Sequence, residues 1–355
     1  MRILHILNHI QEIGNGIVNV AIDLACLQAK AGHEVSVASA GGEYEELLSH
    51  YGAKHFKLDQ TRKPINLLKA ASLYRATVQA FKPDIVHAHM MTGVVLARLL
   101  RANAKYGLVS TVHNEFQRSA VLMGWADRVI AVSHAVAQSM ERRGIPPTQL
   151  RVVCNGTVGS PRSRPLNEYQ PLLLQRPAIT TVAGMYQRKG ITELIEAFAQ
   201  IAADFPDAHL YIVGNGPDRE IFEAQAKSTA VCDRIHFEGF QPEPQRYLLS
   251  TDIFVLASHR EPFGLVLSEA REAGCAIIAS NVDGIPEAVA GGQAGLLVPP
   301  ADSQALATAL TQLLSDSHIL QKWKHQAQQN LEELNVVRVH QKTLTVYEEL
   351  IANSK

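Results

Sequence analysis

The chain has 355 residues, too many for one compact α/β core and suited to two of roughly 150–180 residues each. Hydrophobic residues make up 46% and charged residues 19%, which excludes a disordered or fibrous chain. No apolar run approaches the ~18–20 residues a membrane span needs. A net charge of −1 conceals an asymmetry: residues 1–158 hold 17 Lys and Arg against 11 Asp and Glu, and residues 159–355 hold 16 against 23. An anionic partner is therefore expected on the N-terminal side. No dense basic run interleaves with aromatics, which argues against nucleic acid.

In chain order, Arg2–Leu7 alternates like a strand after a single charge. A signal peptide would need a longer uninterrupted apolar stretch, so a cytoplasmic protein is expected. A turn, Gly14-Asn15-Gly16, follows. Ile17–Ala31 has helical spacing and ends at Gly32, a natural C-terminal cap. Short aliphatic strands come next at Glu34–Ala38, Ile85–His89, Gly107–Val112 and Arg128–Val132. The segment Ser160–Pro177 contains four prolines (161, 165, 171 and 177) and reads as a linker. The alternation then restarts with strands at Ile179–Val182, His209–Val213, Arg234–Phe237, Ile253–Ala257, Ala276–Ser280 and Gly295–Val298. Val337–Ile351 is helical in pattern, and the tail 337–355 is expected to cross back to the first domain. Strands alternating with helices predict an α/β chain of two doubly wound, Rossmann-like domains, 1–159 and 178–336, facing across a ligand-binding cleft.

Cys26, Cys154, Cys232 and Cys275 show neither paired spacing nor histidines at zinc intervals, so they read as small core residues with no disulfide or metal site. No cofactor is implied.

The strongest local signal is Glu261-Pro262-Phe263-Gly264-Leu265, continuing to Glu269. A strand feeds a turn with glycine, and a helix then starts near Leu265. Such a helix start offers unpaired amides and partial positive charge to a phosphate. Glu269 lies about one turn inside, where its carboxylate suits a vicinal diol such as ribose. Taken alone, these glutamates could equally be a solvated carboxylate and a helix-dipole partner. His87, His89 and His113 fall at C-terminal strand ends, where parallel sheets present ligand-binding groups. His87 is expected to face the other side of its strand from His89. The Gly14–Gly16 loop precedes a helix but lacks the third glycine of a dinucleotide fingerprint.

The form E-P-F-G-L-x-x-x-E resembles the signature of retaining GT-B glycosyltransferases of family four. Further stretches resemble that family in the same order: Gly14-Asn15-Gly16, Pro83–His89, Thr111-Val112-His113, Val132-Ser133 followed by Asn155-Gly156, Lys189-Gly190, Gly214-Asn215-Gly216-Pro217 and Asp283–Glu287. The resemblance implies a nucleotide diphosphate sugar as donor, UDP-linked before GDP-mannose, and a sugar, glycan or lipid-linked acceptor. It implies that Glu269 holds the ribose and that Phe263, Gly264 and Leu265 meet the diphosphate and sugar. Glu261 then faces the sugar hydroxyls, and Lys189 neutralises the leaving diphosphate. Gly16, Gly184, Gly214 and Asn215 complete the donor side. His113 lies beside the transferred sugar, with Gly14, Asn15, His89 and Asn155 orienting sugar or acceptor. The family usually has an arginine after the glycine that Gly184 matches. Here Met185 stands there in a loop one residue shorter, and Arg188 is the expected second cation. The absence of an Asp-x-Asp pair agrees with metal-free catalysis by front-face displacement.

A nucleotide-sugar epimerase or hydrolase, and a non-catalytic nucleotide-sugar-binding protein, are the alternatives. Lys69, Arg75, Lys82, Arg98, Arg101 and Lys105 lie along apolar helices that suit peripheral contact with an anionic membrane, although a solvated basic face reads the same.

Overall fold

The computed structural model describes residues 1–61, 64–101 and 104–352. Residues 353–355 of the predicted tail lie outside them. The chain divides into two units, Met1–Ser163 with Asn335–Lys355, and Arg164–Leu334.

The first unit is a seven-stranded sheet. Its strands are β1 (Arg2–Ile6), β2 (Glu34–Ser39), β3 (Lys54–Lys57), β4 (Ile85–Ala88), β5 (Gly107–Val112), β6 (Arg128–Ala131) and β7 (Leu150–Val152). They lie in the order β3-β2-β1-β4-β5-β6-β7, all parallel. The central strands are buried on both faces, as crossover helices require. β3 and β7 escaped the sequence reading for physical reasons. Lys-His-Phe-Lys is a charged edge strand, the device that discourages further pairing, and Leu-Arg-Val is only three residues long.

The second unit repeats the plan with β8 (Ala178–Val182), β9 (His209–Val213), β10 (Ile235–Gly239), β11 (Ile253–Leu256), β12 (Ala276–Ser280) and β13 (Leu296–Val298). The order is β10-β9-β8-β11-β12-β13, again parallel. Its core gathers Ile179, Leu194, Phe198, Leu210, Phe222 and Leu310. Winding reverses between β1 and β4 in one sheet and between β8 and β11 in the other. Beyond the C-terminal ends of such strands, neighbouring loops diverge and leave a crevice.

Two expectations need correction. The proline-rich stretch is not a free linker from Arg164 onward: the Leu172 amide donates to the Arg246 carbonyl at 3.2 Å, the Gln175 amide donates to Tyr211 Oη at 2.9 Å, and Tyr169 is buried. Of the cysteines, Cys26 and Cys275 are core residues, but Cys154 is half-buried and Cys232 is exposed. The final helix, Val336–Ala352, packs with the first unit. Arg338 donates to the Cys154 carbonyl at 2.6 Å, Arg151 Nε donates to Glu349 at 2.8 Å, and Tyr347 is fully buried.

Glycine is required where backbone segments touch. Gly190 has φ +67°, and a Cβ there would sit 1.9 Å from the Ala257 carbonyl oxygen; at Gly32, with φ +85°, a Cβ would meet nothing within 4 Å. Gly32→Ala should therefore cost only the left-handed backbone penalty of about 1–2 kcal/mol, and Gly190→Ala distinctly more. Urea midpoints compare the two, and equal losses would contradict the close approach.

Candidate active site

In the second unit the loops after β8 and β11 meet. The first carries a single 3-10 turn, Gln187–Lys189, closed by Gly190 in the left-handed region. The second runs from Ser258 to Gly264, which at φ +86° reverses the chain into the helix Leu265–Glu272. Lys189 Nζ donates to Glu261 Oε2 in an ion pair whose side chains are only 14% and 12% exposed. Ser258 Oγ stands 3.4 Å from the same oxygen. A point charge on a flexible stem can change partner when a stronger anion arrives.

No side chain caps the helix at Gly264. The Leu267 amide donates to the Gly264 carbonyl at 2.9 Å, which leaves the Leu265 and Val266 amides at the helix start with the positive end of the dipole behind them. Phe263 is buried, anchoring the turn, and Leu265 is half-buried at the helix start. Glu269 lies in the next turn, half-buried. Arg271 locks this helix in place. Its buried guanidinium donates to the carbonyls of Ala327, Ala288 and Gln329 at 2.8, 2.6 and 2.6 Å, and burial pulls its pKa down to about 10.

Two aspartates brace the loops. Asp218 Oδ2 accepts from the Gln187 amide at 2.8 Å. Asp283 Oδ2 accepts from the Glu261 amide at 3.1 Å and from Arg260 Nε at 2.7 Å, and the Gly284 amide donates to the Glu261 carbonyl at 3.1 Å. The Asp-Gly pair at 283–284 thus shapes the Glu261 turn. Sequence reasoning noted this motif without assigning it a task. Gly214 and Asn215 follow β9, where a Cβ on Gly214 would sit 1.9 Å from the Ala183 carbonyl oxygen. The Asn215 carbonyl accepts from the Met185 amide at 3.0 Å, and the Gly184 carbonyl accepts from that of Tyr186 at 2.9 Å. Met185 is fully buried in the second core. Arg188 is exposed, with its guanidinium 5.4 Å from the Tyr186 ring centre.

In the first unit Gly14 turns at φ +68°, and Gly16 opens the helix Gly16–Lys30. Asn15 is that helix's N-cap, its Oδ1 accepting from the Ile17 amide at 3.0 Å. The side-chain oxygen thus serves the helix start. Asn155 is buried; its carbonyl accepts from Arg338 at 3.2 Å.

His89 and His113 come together. His113 Nε2 lies 3.1 Å from His89 Nδ1, and both line a cavity of about 280 Å³ with Asn8, Gln60, Asn114 and Gln117. His87 does not face the opposite side: side chains two residues apart share one face of a strand, and its ring centre is 4.2 Å from that of His89. The larger finding is that these histidines belong to a buried chain including residues not singled out from sequence. His5 of β1 lies 3.0 Å from His89 Nε2 and 2.7 Å from Gln28 Oε1. Gln28 Nε2 is 3.3 Å from Tyr347 Oη. That hydroxyl is 2.5 Å from His87 Nδ1, whose Nε2 is 2.7 Å from Thr111 Oγ1. The available signal was His5 itself, a polar residue set among apolar neighbours in its strand. His5, His87 and His89 bring ring nitrogens within 4.8 Å of one another, but hydrogen-bond partners already engage both nitrogens of each.

Two Rossmann-like units with such crevices define the GT-B class. The chain belongs to glycosyltransferase family 4: residues 14–158 match Glycosyltransferase Family 4 and residues 168–330 match Glycosyl transferases group 1. It is similar to a phosphatidyl-myo-inositol mannosyltransferase of Mycolicibacterium smegmatis, 26% identical over 98% of this chain and 94% of that one. An alpha-maltose-1-phosphate synthase of the same organism is 31% identical over 76% of this chain and 74% of its own. In fold the chain is similar to Anabaena HepE, solved with UDP and glucose, with a TM-score of 0.84 at 20% identity, covering 99% of this chain and 100% of that one.

Desolvation lowers the pKa of His5 to about 4 and of His113 to about 3, and burial followed by neighbouring imidazoles pushes His87 and His89 well below 6.5. Folded imidazoles stay neutral while unfolded ones protonate near pH 6.5. The unfolded state therefore binds more protons, and stability falls as pH drops from about 6.5 toward 4. At pH 5 each such histidine costs on the order of 2 kcal/mol relative to pH 7. Urea midpoints from pH 7 to 5 should decline steeply. A flat profile would contradict the neutral buried network.

Proposed function

We propose that this glycosyltransferase uses a UDP-linked sugar and transfers it, with retention and without a metal, to a hydroxyl of a glycan, lipid-linked glycan or small glycoside. The observation that carries the reading is the Lys189 ammonium beside the uncapped start of the helix at Leu265. Together they offer an ammonium charge and the amides of Leu265 and Val266 to a diphosphate, the task metal ions perform elsewhere. HepE, similar in fold, was solved with UDP, which favours uridine. In this reading Glu269 holds the ribose, Glu261 turns from Lys189 to the sugar hydroxyls, and Arg188 adds charge at the loop rim.

The chemistry follows from these placements. The bond from the anomeric carbon to the diphosphate oxygen breaks, with its electrons leaving on the diphosphate, whose charge Lys189 and the amides stabilise. The acceptor oxygen forms the new bond on the same face, and its proton passes to the departing phosphate oxygen. His113 receives a hydroxyl in the cavity, whose amides and hydroxyls, set among apolar side chains and without a charged group, suit an uncharged, hydroxyl-bearing group.

Among the described residues no helix is long and apolar enough to cross a membrane. Peripheral contact is supported by exposed Leu68, Leu73 and Leu99, which stand among exposed Lys69, Arg75 and Arg98. Co-sedimentation with anionic liposomes should weaken as salt rises, and insensitivity to salt would contradict this docking.

UDP should raise the melting temperature more than GDP or ADP. With UDP-sugar and acceptor, chelator-treated enzyme should form a product of retained anomeric configuration. Lys189→Gln should lower kcat about 10²–10³-fold with the fold intact by circular dichroism. Conversion of donor without acceptor would indicate an epimerase or hydrolase, binding without turnover a non-catalytic protein, and near-normal turnover in Lys189→Gln another source of the catalytic charge.

A further inference from the structure

We propose that Gln28, acting through a polarised hydrogen-bond chain completed by Tyr347, decides which nitrogen of His113 carries the proton. Both would then be positioning residues for the hydroxyl that His113 meets. The chain runs His113, His89, His5, Gln28, Tyr347, His87, Thr111, without a break.

A neutral imidazole has one donating and one accepting nitrogen. Imidazoles linked ring to ring must therefore all point the same way, and nothing within the rings selects the direction. An amide does select it, because its oxygen only accepts and its nitrogen only donates. Gln28 is the member whose two ends differ in this fixed manner.

The distances identify the direction. His5 Nε2 to Gln28 Oε1 at 2.7 Å fits an N–H donating to a carbonyl. Gln28 Nε2 to Tyr347 Oη at 3.3 Å fits a long N–H contact, and is too long for the O–H to carbonyl bond that a reversed amide would make there. His5 then carries its proton on Nε2 and accepts at Nδ1 from His89 Nε2. His89 accepts at Nδ1 from His113 Nε2. On the other branch the Tyr347 hydroxyl donates to His87 Nδ1, and His87 Nε2 donates to Thr111 Oγ1. Burial keeps all four rings neutral, so no extra proton erases the polarity.

The consequence appears at the cavity. His113 presents Nδ1 as a bare lone pair, with no partner among the described residues, and can accept from a hydroxyl. Reversal of the Gln28 amide would put a proton on that nitrogen and convert the site to a donor. Tyr347 comes from the helix Val336–Ala352, so the end of the chain helps to fix a proton beside the β5 loop.

The test is 15N-histidine labelling of the full chain with long-range proton–nitrogen correlation, the His113 signals being identified by their loss in His113→Gln. Wild type should show a protonated-type Nε2 and a bare Nδ1. Gln28→Glu, whose carboxylate still accepts from His5, should keep that pattern. Gln28→Met and Tyr347→Phe should average or reverse it. A merely structural role would leave the tautomer alone. A protonated Nδ1 in wild type would overturn the proposal. So would unchanged His113 signals in folded Tyr347→Phe, which loses only a hydroxyl and serves if Gln28→Met does not fold. The turnover arm rests on the transferase reading: kcat in Tyr347→Phe should fall about tenfold or more while the donor KM holds. If no transfer occurs in any variant, that reading fails while the nitrogen signals still decide the tautomer.

Discussion

A lysine side chain that is only 14% exposed needs a counter-charge for its ammonium group, and in the second unit Glu261 supplies it. Moving a charge out of water costs several kcal/mol unless a partner or a set of hydrogen bonds compensates. Much of the surrounding backbone holds that pair in position. Gly190 and Gly264 make the turns possible, Asp218 and Asp283 fix the loops, and Arg271 anchors the helix behind. The pair occupies the C-terminal side of β8 and β11, where the winding of the sheet reverses. A diphosphate offers Lys189 more negative charge than a carboxylate does, and the outward amides of the Leu265 helix add donors that Glu261 does not use.

The first unit follows a different electrostatic principle. Its crevice holds neutral imidazoles whose pKa values burial has lowered, and its cavity mixes amides and hydroxyls with apolar side chains such as Ile17, Met90 and Met123. The buried ion pair and the neutral imidazoles therefore lie on separate sheets of similar strand order. The low dielectric that strengthens the hydrogen bonds of the histidine chain also makes a missing partner costly, so the network is rigid as well as directional.

Sequence reasoning located much of this because the informative patterns are local. Strand, turn, glycine and helix start follow one another within Ile253–Glu269, and the alternation of short aliphatic runs with helices gave both sheets. What it missed depends on contacts between distant segments. Gln28 and Tyr347 are separated by 319 residues and His5 lies further off still, and no spacing rule links them. Asn15 caps its helix, a local role that an asparagine before a helix commonly takes. His87 was placed on the wrong face although residues two apart in a strand share a side. The Ser160–Pro177 segment read as a linker because prolines signal loops, yet the hydrogen bonds tying Leu172 and Gln175 to the second unit come from partners remote in sequence.

The most direct test of the central claim is a crystal structure with UDP bound. The account predicts the diphosphate on the first-turn amides of the helix Leu265–Glu272, the ribose hydroxyls on Glu269, and Lys189 Nζ withdrawn from Glu261 toward a phosphate oxygen. Nucleotide bound elsewhere, with the Lys189–Glu261 pair undisturbed, would contradict it.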